Sequence, residues 1–326
     1  GDVTINLTTA NCSGTTVIVL DGVNQTITSA MTSGRWSNNV TIASTGSVFF
    51  TTGVKYSGVL THTSGKVLGL IDIDWPPVPS SVRFNENSGT ANEYVNIDAV
   101  RTALATTTVG TWAIWVKLVD ATPATATALI SFSDTDAGND LLFFIRSDVT
   151  GILQMRARTA AAVQFSLDTD AIALSDNVWA HVAIVQDGTS PVLYVNGVAV
   201  AQTFSVSTNK TYWFNNLSGL IDNGRIAARE TSSGGNTLFI NGSAGYCTFW
   251  NTNLSAAQIT TLYNSGQAIL PIANLPAYAN VVSHFNLGLG DTFPTATDSV
   301  GGNNGTYTNM EASDLLLIDR TAFSAG

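Results

Sequence analysis

Apolar and polar positions alternate along this chain in short runs, separated by Gly, Asn, Asp and Ser. The clearest case is residues 178–188, VWAHVAIVQDG, followed by Leu193-Tyr194-Val195-Asn196-Gly197-Val198. It predicts three antiparallel strands joined by two turns. Asn196-Gly197 is the dipeptide that best tolerates positive φ at both central positions of a two-residue hairpin. Strand-length runs rich in β-branched and aromatic residues recur at 82–85, 94–97, 110–117, 129–132, 141–145, 153–157, 163–167, 224–228, 237–240 and 244–250. Many short strands of this kind indicate an all-β protein. One helix stands out, over 255–263: Ser255 and Gln258 form a capping box. Ile259, Leu262 and Tyr263 share a face, and Gly266 sits where a left-handed stop belongs.

Residues 1–74 read as a separate small β domain. Its strands fall at 3–7, 16–20, 23–27, 40–43, 47–50 and 59–62, with Asp21-Gly22 as a hairpin turn. Trp75-Pro76-Pro77-Val78-Pro79 then interrupts any ladder, because proline lacks the amide donor and stiffens the backbone. We read 75–79 as a linker, 80–270 as the second unit and 271–326 as a C-terminal segment. No internal repeat is visible.

Charge narrows the function. Only 11% of the residues are charged while 44% are hydrophobic, so the chain folds rather than staying disordered. The net charge is −10, and the 13 basic residues are spread with no basic run. Nucleic acid is therefore not expected as a partner, and neither is an anionic membrane surface. No apolar stretch is long enough to cross a bilayer, so membrane insertion is not expected. No charged region followed by an apolar one opens the numbering, so no signal peptide is visible. Cys12 and Cys247 do not make a disulfide framework and read as buried or half-buried free thiols. Asn-X-Ser/Thr sequons are numerous, as an Asn- and Thr-rich composition alone produces.

Residues 80–266 resemble the laminin-G-like/concanavalin-A-like jelly-roll superfamily at several anchors in the right order. SVRFN…EYVNI at 81–97 looks like its opening strands, and GTWAIWVKL at 110–118 like the strand with the inward Trp. VWAHVAIVQDG…LYVNGV at 178–198 looks like its central meander. NGSAGYCTFWNTNLSAAQITTLYNSG at 241–266 looks like its closing strand and helix. The resemblance implies a concanavalin-A-like antiparallel β-sandwich, preceded here by the small N-terminal β domain. Such folds commonly serve for binding and display. The tail, HFNLGLGDTFP at 284–294 and then D-S-x-G-x-N-x-G-T at 298–306, resembles a segment of tailed-bacteriophage virion proteins carrying this fold. In ordinary members that piece precedes the opening strand. Here it follows the helix, so the tail either adds an edge strand or docks on a neighbouring subunit.

Catalysis finds little footing. A glycosidase needs two carboxyl groups flanking the scissile bond, and this chain has four Glu and no Glu-x-Asp-x-Glu strand. The Asp72/Asp74 and Asp168/Asp170 pairs read as ordinary solvent-facing neighbours. For nucleophilic catalysis only His62, His181 and His284 are available as bases, and His181 reads as a structural position. Trp112, Trp115, Trp179 and Trp250 read as packing residues. The loop Ser133–Asp140 offers Asp134, Asp136, Asn139 and Asp140 as oxygen ligands for Ca²⁺, although Asp, Asn and Gly are equally default turn residues. Trp213, with Asn215 and Asn216 in a less regular stretch, is the candidate for glycan contact.

The expected function is that of a non-enzymatic virion structural protein, a capsid decoration or fibre-type subunit on the virion surface. The N-terminal domain would anchor and oligomerise, as a homo-oligomer such as a trimer, beside the major capsid protein. The sandwich would face outward toward host-surface glycans. The alternative is a secreted or cell-surface lectin or adhesin.

Overall fold

The computed structural model describes the strand backbones between residues 4 and 73, residues 80–84, and residues 92–317 apart from 148–149, 232, 234, 267–271 and 289. The chain divides into two compact units, Gly1–Pro76 with Asp319–Gly326, and Pro77–Ile318. The 75–79 linker, the Asp21-Gly22 turn and Cys12 lie outside the described residues.

The first unit holds β1 (Thr4–Leu7), β2 (Ile18–Leu20), β3 (Asn24–Ser29), β4 (Val40–Tyr56) and β5 (Leu60–Ile73). Every pairing among them is parallel. Each partner residue lies 17 to 23 positions further along the chain, as in Thr4↔Thr26, Ile18↔Val40 and Val40↔Leu60. The hairpin expected at 21–22 is therefore corrected: β2 and β3 both pair with β4, and neither is the other's ladder partner. Parallel strands need a crossover of a dozen or more residues, which a tight turn cannot supply. The near-constant step is a backbone repeat that the residue types do not display, since Thr, Ser and Val serve any coil equally.

The second unit is a sandwich. Its strands are β6 (Ser80–Phe84), β7 (Tyr94–Asn96), β8 (Gly110–Leu118), β9 (Thr127–Ser133), β10 (Asp140–Ile145), β11 (Leu153–Thr159) and β12 (Ala162–Thr169). There follow β13 (Ala180–Gln186), β14 (Val192–Val195), β15 (Val198–Ala199), β16 (Gln202–Ser207), β17 (Asn223–Ile226), β18 (Arg229–Glu230) and β19 (Asn236–Thr237). The last are β20 (Gly242–Trp250), β21 (Val281–Phe285), β22 (Thr295–Ala296), β23 (Gly305–Thr308) and β24 (Leu315–Leu317). Nine strands form one antiparallel sheet in the order β16-β12-β11-β10-β9-β17-β7-β23-β22. The second sheet runs β15-β14-β13-β8-β20-β6-β24, with β21 also on β20. β18 and β19 make a separate two-stranded hairpin.

The core follows from alternation, since residues i and i+2 of a strand share a face. Leu141, Phe143 and Ile145 of β10 and Leu153, Met155 and Ala157 of β11 meet Trp112, Ile114 and Val116 of β8 in one buried cluster. Trp112 lies at its centre, with ring centroids 5.2 Å from Phe132, 4.9 Å from Trp213 and 6.2 Å from Phe249. Asn196 and Gly197 both have positive φ (50° and 81°), the hairpin geometry their sequence predicts. A side chain at Gly197 would also stand 2.9 Å from Tyr263 Cβ, so the turn and the helix require glycine together.

Among the described residues there are two α-helices, α1 (Asp98–Leu104) and α2 (Ala256–Tyr263). The capping box of α2 forms as predicted, with Ser255 N donating to Gln258 Oε1 at 2.8 Å. Its left-handed stop is Asn264 (φ 48°) rather than Gly266. α1 is too short to carry a helical period and was not legible. The strand expected at 237–240 is also shorter: β19 ends at Thr237, and Leu238 takes positive φ.

The tail feeds both sheets. β21 pairs with β20 in one, β23 pairs with β7 in the other, and β24 pairs with β6. The 298–306 motif is a local scaffold. The Asp298 carboxylate accepts amides from His284, Val300, Gly301 and Asn303 at 2.9–3.0 Å. A Cβ on Gly301 would fall 1.9 Å from Val282 O, so only glycine fits that crossing.

Candidate binding surfaces

The loop expected to hold Ca²⁺ brings Asp134 against Asn139 and Asp136, while Asp140 faces arginines. Asp134 Oδ1 accepts Asp136 N at 2.8 Å and Asp134 Oδ2 accepts Asn139 Nδ2 at 2.7 Å, which closes the loop on itself. Asn139 Oδ1 accepts Ala160 N at 2.8 Å. Asp140 begins β10 and points to the sheet face, where arginines occupy it. Among the described residues no group of three His, Cys, Asp or Glu side chains could hold a metal ion. Of the expected ligands, Asp134 is thus engaged in the turn and Asp140 in ion pairs with guanidinium groups.

Trp213 is corrected as well. It is fully buried, packed on Trp112 and edge-on to Phe214 at 5.6 Å. A 3₁₀ turn over Phe214–Leu217 drives both rings inward, and Asn216 Oδ1 accepts Trp213 N at 3.0 Å as its cap. Asn215 and Asn216 remain exposed without the aromatic platform.

Three places in the sandwich have polar chemistry. The first is buried, on the outward face of the second sheet beneath α2. Trp115 stacks on Tyr263 at 5.7 Å and tilts on His181 at 5.4 Å. Burial alone pushes His181 down to about 3, so its imidazole is neutral. Its Nδ1 has no hydrogen-bond partner. His284 is lowered too, by burial, against the opposing pull of Asn286 and Asp298. Its Nδ1 lies 2.7 Å from Thr248 Oγ1. The cavity between these groups is only about 10 Å³, room for one water and no ligand. Cys247 is likewise buried, with its thiol pushed well up by desolvation, and is chemically inert.

The second place is an open groove of about 480 Å³ at the rim of the sandwich. It forms where the chain leaves β8, enters β9 and later enters β20. Phe239 offers a half-buried ring, and Asp120, Thr125 and Asn241 bring polar groups to the same walls. Asp120 Oδ1 accepts Thr122 N at 2.8 Å, which fixes the loop.

The third is the outward face of the nine-stranded sheet. Five of the nine arginines, Arg146, Arg156, Arg158, Arg225 and Arg229, form ion pairs there. Asp140 is fully buried beneath Arg156, Arg158 and Arg229, at 3.1, 2.7 and 2.9 Å. Arg225 bonds Asp98 at 2.5 Å and Glu230, and its guanidinium lies 5.2 Å from the Tyr94 ring. Arg146 reaches Asp168 at 3.3 Å. The linear sequence scatters these cations, and the strand register collects them: Asp140↔Arg158 and Leu142↔Arg156 are cross-strand pairs. The i, i+2 spacing of Arg156 and Arg158, alternating with Met155 and Ala157, was the available signal.

A family described as the concanavalin A-like lectin/glucanases superfamily matches residues 88–260. The chain belongs to this superfamily. No curated protein matches. Among solved structures, the chain is similar to the CBM40 domain of a Ruminococcus gnavus IT-sialidase bound to α2,3 sialyllactose. That likeness has 18% identity and a TM-score of 0.44, over 53% of this chain and 92% of that one. It is also similar to a leech intramolecular trans-sialidase, at 15% identity and TM-score 0.46, over 59% of this chain and 27% of that one. A NanB sialidase variant from Streptococcus pneumoniae gives 19% identity and TM-score 0.46, over 56% and 27%. None of these findings bears on a virion. No helix among the described residues is long and apolar enough to cross a membrane.

Proposed function

We propose that the sandwich is a non-catalytic carbohydrate-binding domain, acting outside the cell or on a particle surface, with the rim groove as its saccharide site. The observation that carries this reading is the groove itself. Its volume of about 480 Å³ falls within the usual range for ligand sites. It pairs one aromatic ring with a few polar groups able to take sugar hydroxyls. Asp120 is the one carboxylate on its walls, so the two carboxyl groups of glycoside hydrolysis are missing from it. The test is a glycan array with the intact chain and with Phe239→Ala. Binding should fall at least tenfold in the variant while its melting temperature stays within a few degrees. Equal binding by both proteins would remove the groove from the reading.

Display on a virion is the second reading, favoured by the tail's resemblance and by the parallel N-terminal sheet, whose repeating step suits a load-bearing anchor. Purified particles should then contain the chain at a fixed copy number alongside the capsid protein, and a soluble protein absent from particles would overturn it.

A further inference from the structure

We propose that Arg156, Arg158 and Arg229 form an anion subsite on the outward face of the nine-stranded sheet, which takes the carboxylate of an acidic saccharide. This deepens the carbohydrate-binding reading and rests on it.

Three guanidinium groups surround one carboxylate, so the cluster carries two surplus positive charges in a chain whose net charge is −10. The three side chains stay 15–21% exposed, so the cluster is open to solvent from above while Asp140 closes it from below. Asp140 does not use up the donors. Arg158 and Arg229 each reach Asp140 through one terminal nitrogen, and a guanidinium has five N–H groups in a planar fork. That fork matches a second carboxylate in bidentate fashion. Burial holds the Arg229 guanidinium below its usual range, and Arg158 and Arg156 push it the same way against the pull of Asp140. An arriving anion would relieve that repulsion. The surroundings favour a saccharide over a bare ion. The Arg156 guanidinium lies 5.5 Å from the Phe144 ring, and Phe144 shares an apolar cluster with Leu238, which lines the rim groove. Asp140 and Phe144 are four residues apart on one strand, about 13 Å. An oligosaccharide seated in the groove can present a charged residue within that span.

The test uses the full chain and matched probes: trigalacturonate, its methyl ester, and acetate. Titrations are followed by calorimetry and by the Arg Nε–Hε resonances in NMR spectra. Trigalacturonate should bind saturably, at least tenfold tighter than its ester, and should shift the resonances of Arg156, Arg158 and Arg229. Raising salt from 50 to 300 mM should weaken it several-fold. Arg229→Gln should lose most of the preference for the acid over the ester and keep binding of the ester. The wild-type titrations test the subsite whether or not that variant folds. Equal affinity for acid and ester, with silent arginine resonances, would overturn the subsite and leave the groove reading standing. Acetate binding as tightly as trigalacturonate, with no response to the ester, would support an anion site and overturn the saccharide reading. Silence with all three probes would overturn the subsite, and the glycan array decides the groove separately.

Discussion

The two outward faces of the sandwich obey the same alternation and reach opposite solutions. On the second sheet the outward residues are Ala113, Trp115, Ala183, Val185 and Trp250, and the face is roofed by Ile259 and Leu262 of α2 with Leu275 beyond it. On the nine-stranded sheet the outward residues include Asp140, Arg156, Arg158, Asp168 and Arg225 beside a small apolar patch of Ala128, Leu142 and Phe144, and the roof is mainly the ion-paired layer itself. One face gains stability by hiding apolar surface. The other is laced with ion pairs that add little net stability but fix the guanidinium groups in place. Desolvating charges costs about as much as pairing them returns, whereas an apolar roof has no such debit. Fixed charges held on a face without a large stability gain are what the proposed anion subsite requires.

The largest expected effect is therefore on the roofed face. Trp115→Ala should cost about 3–5 kcal/mol in urea denaturation, because it removes a large ring stacked between the sheet and Tyr263. A loss below that from any single substitution in the arginine layer is the expected ranking. The reverse ranking would sink the comparison.

Acid should act on the roofed face next. His181 takes a proton near 6.5 in the unfolded chain and only at about 3 in the folded one. The unfolded state thus binds more protons between those values, so stability is fully present above 6.5 and drains as pH falls toward 3. The slope is about 1.4 kcal/mol per pH unit for this one histidine. His284 acts in the same direction. Denaturation curves at several pH values between 6 and 4 check it. His181→Phe should flatten the slope by about that amount, and an unchanged slope would show that His181 is not the group responsible.

How far the sequence reaches differs between these faces for a physical reason. The roofed face was legible: the Trp and His of 178–188, the Ser255–Gln258 cap and the Asn196-Gly197 turn each act through local spacing. The arginine layer was not, because Arg146, Arg156, Arg158, Arg225 and Arg229 lie on four different segments and meet only through ladder register. The rim groove was missed likewise, since Asp120 and Phe239 meet only where β8, β9 and β20 begin or end. Trp213 misled for the opposite reason. A Trp among amides in an irregular stretch resembles a surface platform, but a single 3₁₀ turn buried it against Trp112. In the N-terminal unit the expected strands overlap β1 to β5, but 40–43 and 47–50 are one strand, β4, and β5 runs well past 62; pairing was not legible, because residue pattern sets which face is apolar and not which direction a neighbour runs.

Within the arginine layer two substitutions separate fixed charges from surface decoration. Asp140→Asn keeps the shape and removes the one buried carboxylate under three cations, and should cost about 2 kcal/mol. It should also tighten trigalacturonate, because the competing internal anion is gone. Arg146→Ala is the smallest effect. Its side chain is 37% exposed and its pair with Asp168 is solvent-screened, while Gln154 keeps a bond to that carboxylate. The expected loss is below about 1 kcal/mol, with the melting temperature nearly unchanged and binding of the acid probe unaffected. A large loss at Arg146 would mean that the whole layer is a cooperative structural network. The cluster around Asp140 would then not differ from its neighbours, and the division between roofed and ligand-facing sheets would have to be redrawn at the residue level.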